Sequence, residues 1–199
     1  KKKVRFTTLH PEISTENRND FHITDTELGV GTPTQKYEAN IAAIRMLKKI
    51  EDEDRLATKD EQEILSRYVG WGGLADCFDK HNSKNTELLG LLTPEEYSTA
   101  KASSLTAFYT SPVIVDAIYK ALGNMGFKTG NILEPACGIG NFIGMIPEAM
   151  KECKTYGVEL DNISGRIARQ LYQNANIAIE GFEKVDMPES FFDVAVGNV

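Results

Sequence analysis

The spacing of apolar positions changes character once along this chain. Ile41, Ile44 and Leu47 recur at helical spacing and form a single apolar stripe. They predict a helix that follows Thr34, carries Tyr37 and passes Lys48, with the acids and bases of 48–55 forming a solvated end. A second helix is predicted from Thr58, because Glu61 three positions later completes a capping box ahead of Ile64, Leu65 and Tyr68. Gly70-Trp71-Gly72-Gly73 then breaks the pattern. Thr93-Pro94-Glu95-Glu96 opens another helix, with threonine as N-cap, proline at the first helical position and acids in the first turn. Ser111-Pro112 opens one more, carrying Val115, Ile118, Tyr119 and Leu122 and ending near Gly123.

Beyond that point the apolar runs become short. They predict strands at 131–135, 155–160, 177–183 and 191–199, alternating with helices at 140–151 and 162–173. This alternation means βαβ units on a parallel sheet. Residues 1–33 show little periodicity and read as an extended arm with loops. The expected fold class is therefore α/β. It consists of a Rossmann-like sheet of about four parallel strands in the order 3-2-1-4, with helices on both faces and a small helical unit ahead of it. The arm and helical unit occupy 1–103 and the α/β unit 104–199. The fourth strand is expected to leave an unpaired edge, a hazard for self-association.

Composition narrows the function classes. The 199 residues carry a net charge of −7, which argues against a strongly basic nucleic-acid surface. Lys1-Lys2-Lys3-Val4-Arg5 reads as a solvated terminus. No apolar run approaches the roughly 18 residues of a membrane span, so no membrane partner is expected. Cys77, Cys137 and Cys153 show no CxxC spacing, and His10, His22 and His81 are scattered. Neither a disulfide frame nor a metal site is expected, and a reducing cytoplasm fits. Cys137 reads as a small core residue, and Trp71 as a plug between the helical layer and its neighbour or, less simply, a contact for DNA or a partner. The chain does not begin with Met and stops inside a motif, which reads as a piece of something larger.

The candidate chemistry clusters around Glu134-Pro135-Ala136-Cys137-Gly138-Ile139-Gly140-Asn141-Phe142. The order is strand, acid, Gly-x-Gly turn, helix, the arrangement by which an open α/β sheet builds a nucleotide-type pocket at the carboxyl end of its first strand. Tyr156-Gly157-Val158-Glu159-Leu160-Asp161 reads as a second strand ending in acids. Glu159 stands where a carboxylate can accept both ribose hydroxyls of an adenosine. The final apolar run ends in Gly197-Asn198, which places Asn198 at the same sheet edge. A dinucleotide fingerprint fails, because its third glycine position is Ile143 and Gly144 comes one residue late.

Taken in order, Ala107-Phe108-Tyr109-Thr110-Ser111-Pro112, the Glu134–Phe142 motif, Glu159 and Asn198 resemble the S-adenosylmethionine-dependent amino-methyltransferases of DNA, of the adenine-N6 type. With Tyr68-Val69-Gly70-Trp71-Gly72-Gly73 upstream, the chain looks most like the methylase segment of large methylase–helicase fusion proteins of bacterial mobile elements. The resemblance implies S-adenosylmethionine as cofactor. Tyr109, Thr110, Glu134, Ala136, Gly138, Gly140, Asn141 and Phe142 would bind it, the Gly138-Ile139-Gly140 turn lying close to its amino-acid end. Thr110 would bond the carboxylate, which would also face the start of the following helix, and Glu134 would face the ammonium. Glu159 would take the ribose, Leu160 would flank the adenine, and Phe182 and Glu183 would lie at the adenine edge. Asn198 would be the catalytic acceptor for the target amine. Val199 stands where the common motif has proline.

The implied partners are DNA, gripped mostly by regions outside this chain, and a fused helicase domain, in a cytoplasmic protein of a bacterium or phage. The piece by itself is expected to be inactive. Two other readings stay open: a protein glutamine-N5 methyltransferase, and a non-catalytic DNA-positioning module beside a motor domain.

Overall fold

The computed structural model describes residues 3–105 and 108–198. Lys1, Lys2, Ala107 and Val199, which figure in the sequence motifs above, lie outside the described residues. Among the described residues, seven α-helices and four strands follow the arm: α1 (Pro33–Asp52), α2 (Lys59–Leu65), α3 (Ser83–Leu91), α4 (Pro94–Ser103), α5 (Pro112–Asn124), β1 (Asn131–Glu134), α6 (Asn141–Gly144), β2 (Lys154–Glu159), α7 (Asn162–Leu171), β3 (Asn176–Ile179) and β4 (Val194–Ala195).

Local signals account for most of the helix starts. Thr58 and Thr93 each close a full capping box, with Glu61 and Glu96 as the reciprocal partners. The same device starts α1 at Thr32 with Gln35 rather than after Thr34, two residues earlier than the apolar stripe alone predicts. Helix α3 has no counterpart among the expected elements. It buries only Asn85 and Leu88, too few positions to give a periodic signal, and its start is capped by Asn82.

The sheet is parallel throughout and ordered β3-β2-β1-β4, the order expected for this Rossmann-like fold. Three elements are shorter than expected. The helix at 140–151 is only the four residues of α6 followed by a 3-10 turn at Glu148–Met150, because Pro147 stands between them and cannot continue the ladder. The strand at 177–183 ends at Ile179, and Phe182–Lys184 forms a 3-10 turn. The last strand pairs with β1 only at Val194 and Ala195.

Helices do not cover both faces of the sheet. On one face Ile132 packs with Val115 and Tyr119 of α5, while Ile177 joins α7 and the helical unit. On the other face Leu133, Val158 and Ala178 meet Val4, Phe6, Val185, Met187 and Phe192, none of them helical. Phe6, Tyr156, Phe191 and Phe192 meet there edge to face, with Phe6 and Tyr156 centred 5.3 Å apart. The arm reaches this side through Val4, whose N–H donates to the Lys184 carbonyl.

One buried cluster joins Tyr37, Ile44, Leu47, Leu65 and Trp71 of the helical unit to Ile163, Ile167 and Leu171 of α7. Ion pairs run along the same seam. Lys48 and Arg166 both reach the buried Glu96, Arg166 also pairs with Glu51, and Arg55 forks onto Glu61. The 48–55 segment is therefore not simply a solvated end. Its charges clamp α1 to α2, α4 and α7. Trp71 is fully buried among Tyr37, Tyr68 and Phe78, as a plug requires and an exposed contact does not.

Candidate functional site

A parallel sheet directs the carboxyl ends of its strands to one edge. Here that edge opens on a cleft of about 490 Å3, within the range of small-molecule sites. Its wall includes Tyr109, Thr110, Glu134, Ala136, Gly138, Asn141, Phe142, Glu159, Leu160 and Asn198. Segments far apart in sequence thus meet around one space. Gly140, Phe182 and Glu183 are not in that wall. Gly140 caps α6 with φ +86°, and a Cβ there would come 2.5 Å from the Tyr172 ring, so its smallness serves packing. Phe182 and Glu183 ride on the 3-10 turn beyond β3, two strands away from β1.

The turn after β1 owes its shape to Gly138. It has φ +56°, and an added Cβ would lie 2.7 Å from the Tyr109 ring. Tyr109 therefore rests directly on the turn, and its hydroxyl bonds Ser164 of α7 at 2.9 Å. Burial pushes the Tyr109 phenol well up, so it stays neutral.

Glu159 ends β2 and is anchored by backbone on both sides. Its Oε2 accepts from Gly138 N at 2.6 Å and its Oε1 from Asp161 N at 2.7 Å. The turn's amide thus serves the carboxylate, and each oxygen keeps a lone pair for a ligand hydroxyl. Burial raises the Glu159 pKa, and the Asp161 and Gly138 amides work against that rise.

Glu134 is the more unusual acid. It ends β1, is 4% exposed, and its Oε2 has no partner. Burial raises its pKa well above the carboxylate range. The amides of Phe142 and Ile143 oppose this and the charge of Glu159 adds to it. The start of α6 therefore faces Glu134. A buried acid with an open oxygen is suited to a cationic or donor group arriving in the cleft.

Asn141 donates to the Thr110 carbonyl at 3.1 Å, which leaves its own Oδ1 buried and unpaired. Asn198 lies exposed at the mouth of the cleft, just past β4, with Gly197 set against Pro135. Cys137 is buried and its thiol is pushed well up by burial, as a core residue should be. Among the described residues, the charged groups of the wall are Glu134, Glu159 and Asp161, with no Lys, Arg or His. Tyr68, Trp71, Thr99 and Ser103 of the helical unit also line the cleft, and no sequence motif gave them a place in it. Their convergence depends on packing between distant segments and has no local signature.

No family model matches the chain. Over 166 residues, 82% of the chain, it is 29% identical to the "Defense against restriction protein B" of Escherichia phage P1 and covers 6% of that protein. Over 91 residues, 46% of the chain, it is 37% identical to "Type II methyltransferase M.CvrRI" of Paramecium bursaria Chlorella virus XZ-6E and covers 23% of it. The chain thus spans less than a quarter of the length of either curated relative. Among solved structures, a class I S-adenosylmethionine-dependent methyltransferase from Listeria monocytogenes aligns at TM-score 0.44 and 14% identity, over 84% of this chain and 58% of its own. Coclaurine N-methyltransferase bound to N-methylheliamine and S-adenosylhomocysteine aligns at TM-score 0.35 and 14% identity, over 86% and 51%. Likeness at these scores is too loose to assign the chain to either enzyme.

Proposed function

We propose that the cleft binds S-adenosylmethionine, and that the chain is the cofactor-binding part of a DNA methyltransferase acting on adenine N6. The observation that carries this reading is the convergence of Glu134, Gly138, Glu159 and Asn198 on one cleft at the carboxyl edge of the sheet. The viral type II methyltransferase among the relatives supports the reaction class. The phage relative, named for a defence against restriction, fits a role in DNA modification.

The residues present fit the cofactor. Glu134 offers an unpaired buried oxygen for its ammonium, Glu159 a backbone-anchored carboxylate for its ribose, and Leu160 a 70% exposed side chain to flank its adenine. Thr110 stands in the same wall for its carboxylate. When bound, the cofactor supplies a methyl group activated by its sulfonium. The protein's part is to orient the acceptor amine. Adenine N6 is a poor nucleophile, because its lone pair is delocalised into the ring. The Asn198 side-chain oxygen at the cleft mouth would accept an N6 hydrogen, localising the lone pair and aiming it into the cleft. The low basicity of the chain agrees with a DNA grip supplied mainly by other parts of the parent protein. A helicase domain in that parent belongs to the same reading.

The test is methyl transfer by the parent protein. Incubation with DNA and isotopically labelled S-adenosylmethionine, followed by nucleoside analysis, should yield labelled N6-methyladenine. Asn198→Ala should remove the product while leaving cofactor binding intact. Label on protein glutamine or on cytosine instead would overturn the substrate assignment.

A further inference from the structure

Helix α4 belongs to the helical unit, yet one of its faces borders the cleft through Thr99, Ala102 and Ser103. Glu95, one turn earlier on that face, lines a second hollow of about 270 Å3. The two spaces adjoin, because Thr99, Leu160 and Asp161 line both. The helix itself is rooted in the helical unit. Thr93 and Glu96 close its capping box, Tyr97 Oη donates to Asn85 Oδ1 at 2.7 Å, and Ala100 is fully buried.

The chain beyond β2 leads toward this helix. Glu159 ends the strand, and Leu160 follows with its side chain 70% exposed. Asp161 comes next and caps α7, its Oδ1 accepting from Ser164 N at 2.8 Å. Residues 159–161 therefore run from the cleft to the rim of the second hollow. The side chains facing them from α4 are open to a ligand: Ala102 is exposed, and Thr99 and Ser103 are half-buried. The hollow presents the carboxylates of Glu95 and Asp161, while its cation, Arg166, is engaged by Glu51 and Glu96. A ring edge that donates hydrogen bonds, such as one bearing an amine, suits that surface. Phe182 and Glu183, expected at the adenine edge, line neither space.

We infer that α4 forms the outer wall of the base position: the purine of the bound adenosyl ligand lies between Leu160 and Thr99, with its amine edge turned into the hollow beyond. The inference rests on the cofactor reading above and adds the helical unit to the site. It moves the base contacts from the turn after β3 to α4, and it leaves open space past the amine.

The experiment titrates two ligands by calorimetry into the 199-residue chain and into Thr99→Phe. One ligand is S-adenosylhomocysteine and the other its N6-benzyl derivative. The thermal midpoint of each ligand-free protein is also measured. In the wild type the hollow should accept the benzyl group, so the derivative should bind within about tenfold of S-adenosylhomocysteine. Thr99→Phe puts a ring where the purine belongs, so both ligands should bind more than about tenfold more weakly, at an unchanged thermal midpoint. A derivative that loses more than that in the wild type would show the amine edge against a closed wall, and would overturn the inference. So would a Thr99→Phe protein that melts like the wild type and binds S-adenosylhomocysteine equally well. If the variant fails to fold, the derivative on the wild type decides alone. Absence of S-adenosylhomocysteine binding by the wild type would sink the cofactor reading, and this inference with it.

Discussion

The ion-pair seam and the cleft treat buried acids in opposite ways. In the seam Glu96 is 7% exposed and fully engaged. Burial pushes its pKa up, but the Thr93 amide, Arg166 and Lys48 outweigh that and hold it at about 2. Glu61 is likewise held at about 2, first by Arg55 and then by the Thr58 cap. In the cleft Glu134 is equally buried, yet it has no cation beside it, one open oxygen and a raised pKa. The acids of the seam are satisfied by the molecule's own cations, whereas at the sheet edge Glu134 keeps an unpartnered oxygen. That contrast supports the proposal that the cleft is the functional region.

The largest expected effect comes from breaking the satisfied side. Arg166→Met leaves Glu96 buried with Lys48 alone and frees Glu51. Urea unfolding should show a loss of about 2–3 kcal/mol, less than the usual 3–5 for a buried pair that loses its only partner. Affinity for S-adenosylhomocysteine should be unchanged. A loss below about 0.5 kcal/mol would mean that the seam behaves as an ordinary surface pairing.

The open side should respond with the opposite sign. Glu134→Gln removes a buried carboxylate that lacks a counter-charge, so the ligand-free chain should gain about 1 kcal/mol at pH 7. The sign with pH follows from linkage. A carboxyl whose folded pKa is raised contributes stability that is full below its unfolded pKa of about 4.3, and that stability is lost as pH rises through the folded value. The advantage of Glu134→Gln should therefore shrink between pH 7 and pH 5. Glu96 and Glu61, with lowered pKa values, contribute stability above the unfolded pKa, and it is lost as pH falls toward about 2. Thermal melts of both proteins across this range separate the two trends. A Gln variant less stable than wild type at pH 7 would contradict the picture of an uncompensated acid.

The smallest effect tests the helix caps that shape the helical unit. Thr58→Ala removes one capping box and should cost about 1 kcal/mol by urea unfolding, with cofactor affinity unmoved.

The same contrast explains what could be read from the sequence. Thr58 with Glu61, and Thr93-Pro94-Glu95-Glu96, specify helix starts through neighbours three residues apart, so they are visible in the chain and present in the fold. The strand order and the meeting of Glu134, Glu159 and Asn198 were legible because sheet topology sends strand ends to one edge. Pro147 is visible too: it lacks the amide that a helix ladder needs, which is why the helix expected to 151 stops short of it. Other features had no local trace. Helix α3 buries too little for a stripe. The seam from Lys48 to Glu96 and Arg166 spans more than a hundred residues of chain, so a run that reads as solvated is in fact clamped. Tyr68 and Trp71 reach the cleft only because Asn40 fixes their loop against Tyr109.

The central claim is that the sheet edge holds an adenosyl amino acid through Glu159. Isothermal titration of the chain with S-adenosylhomocysteine, repeated with Glu159→Ala, tests it most directly. The account predicts a single saturable site in the wild type and an affinity loss of about a hundredfold in the variant, the scale of charge-assisted hydrogen bonds to two hydroxyls. Equal binding by the two proteins, or no binding by the wild type, would contradict it.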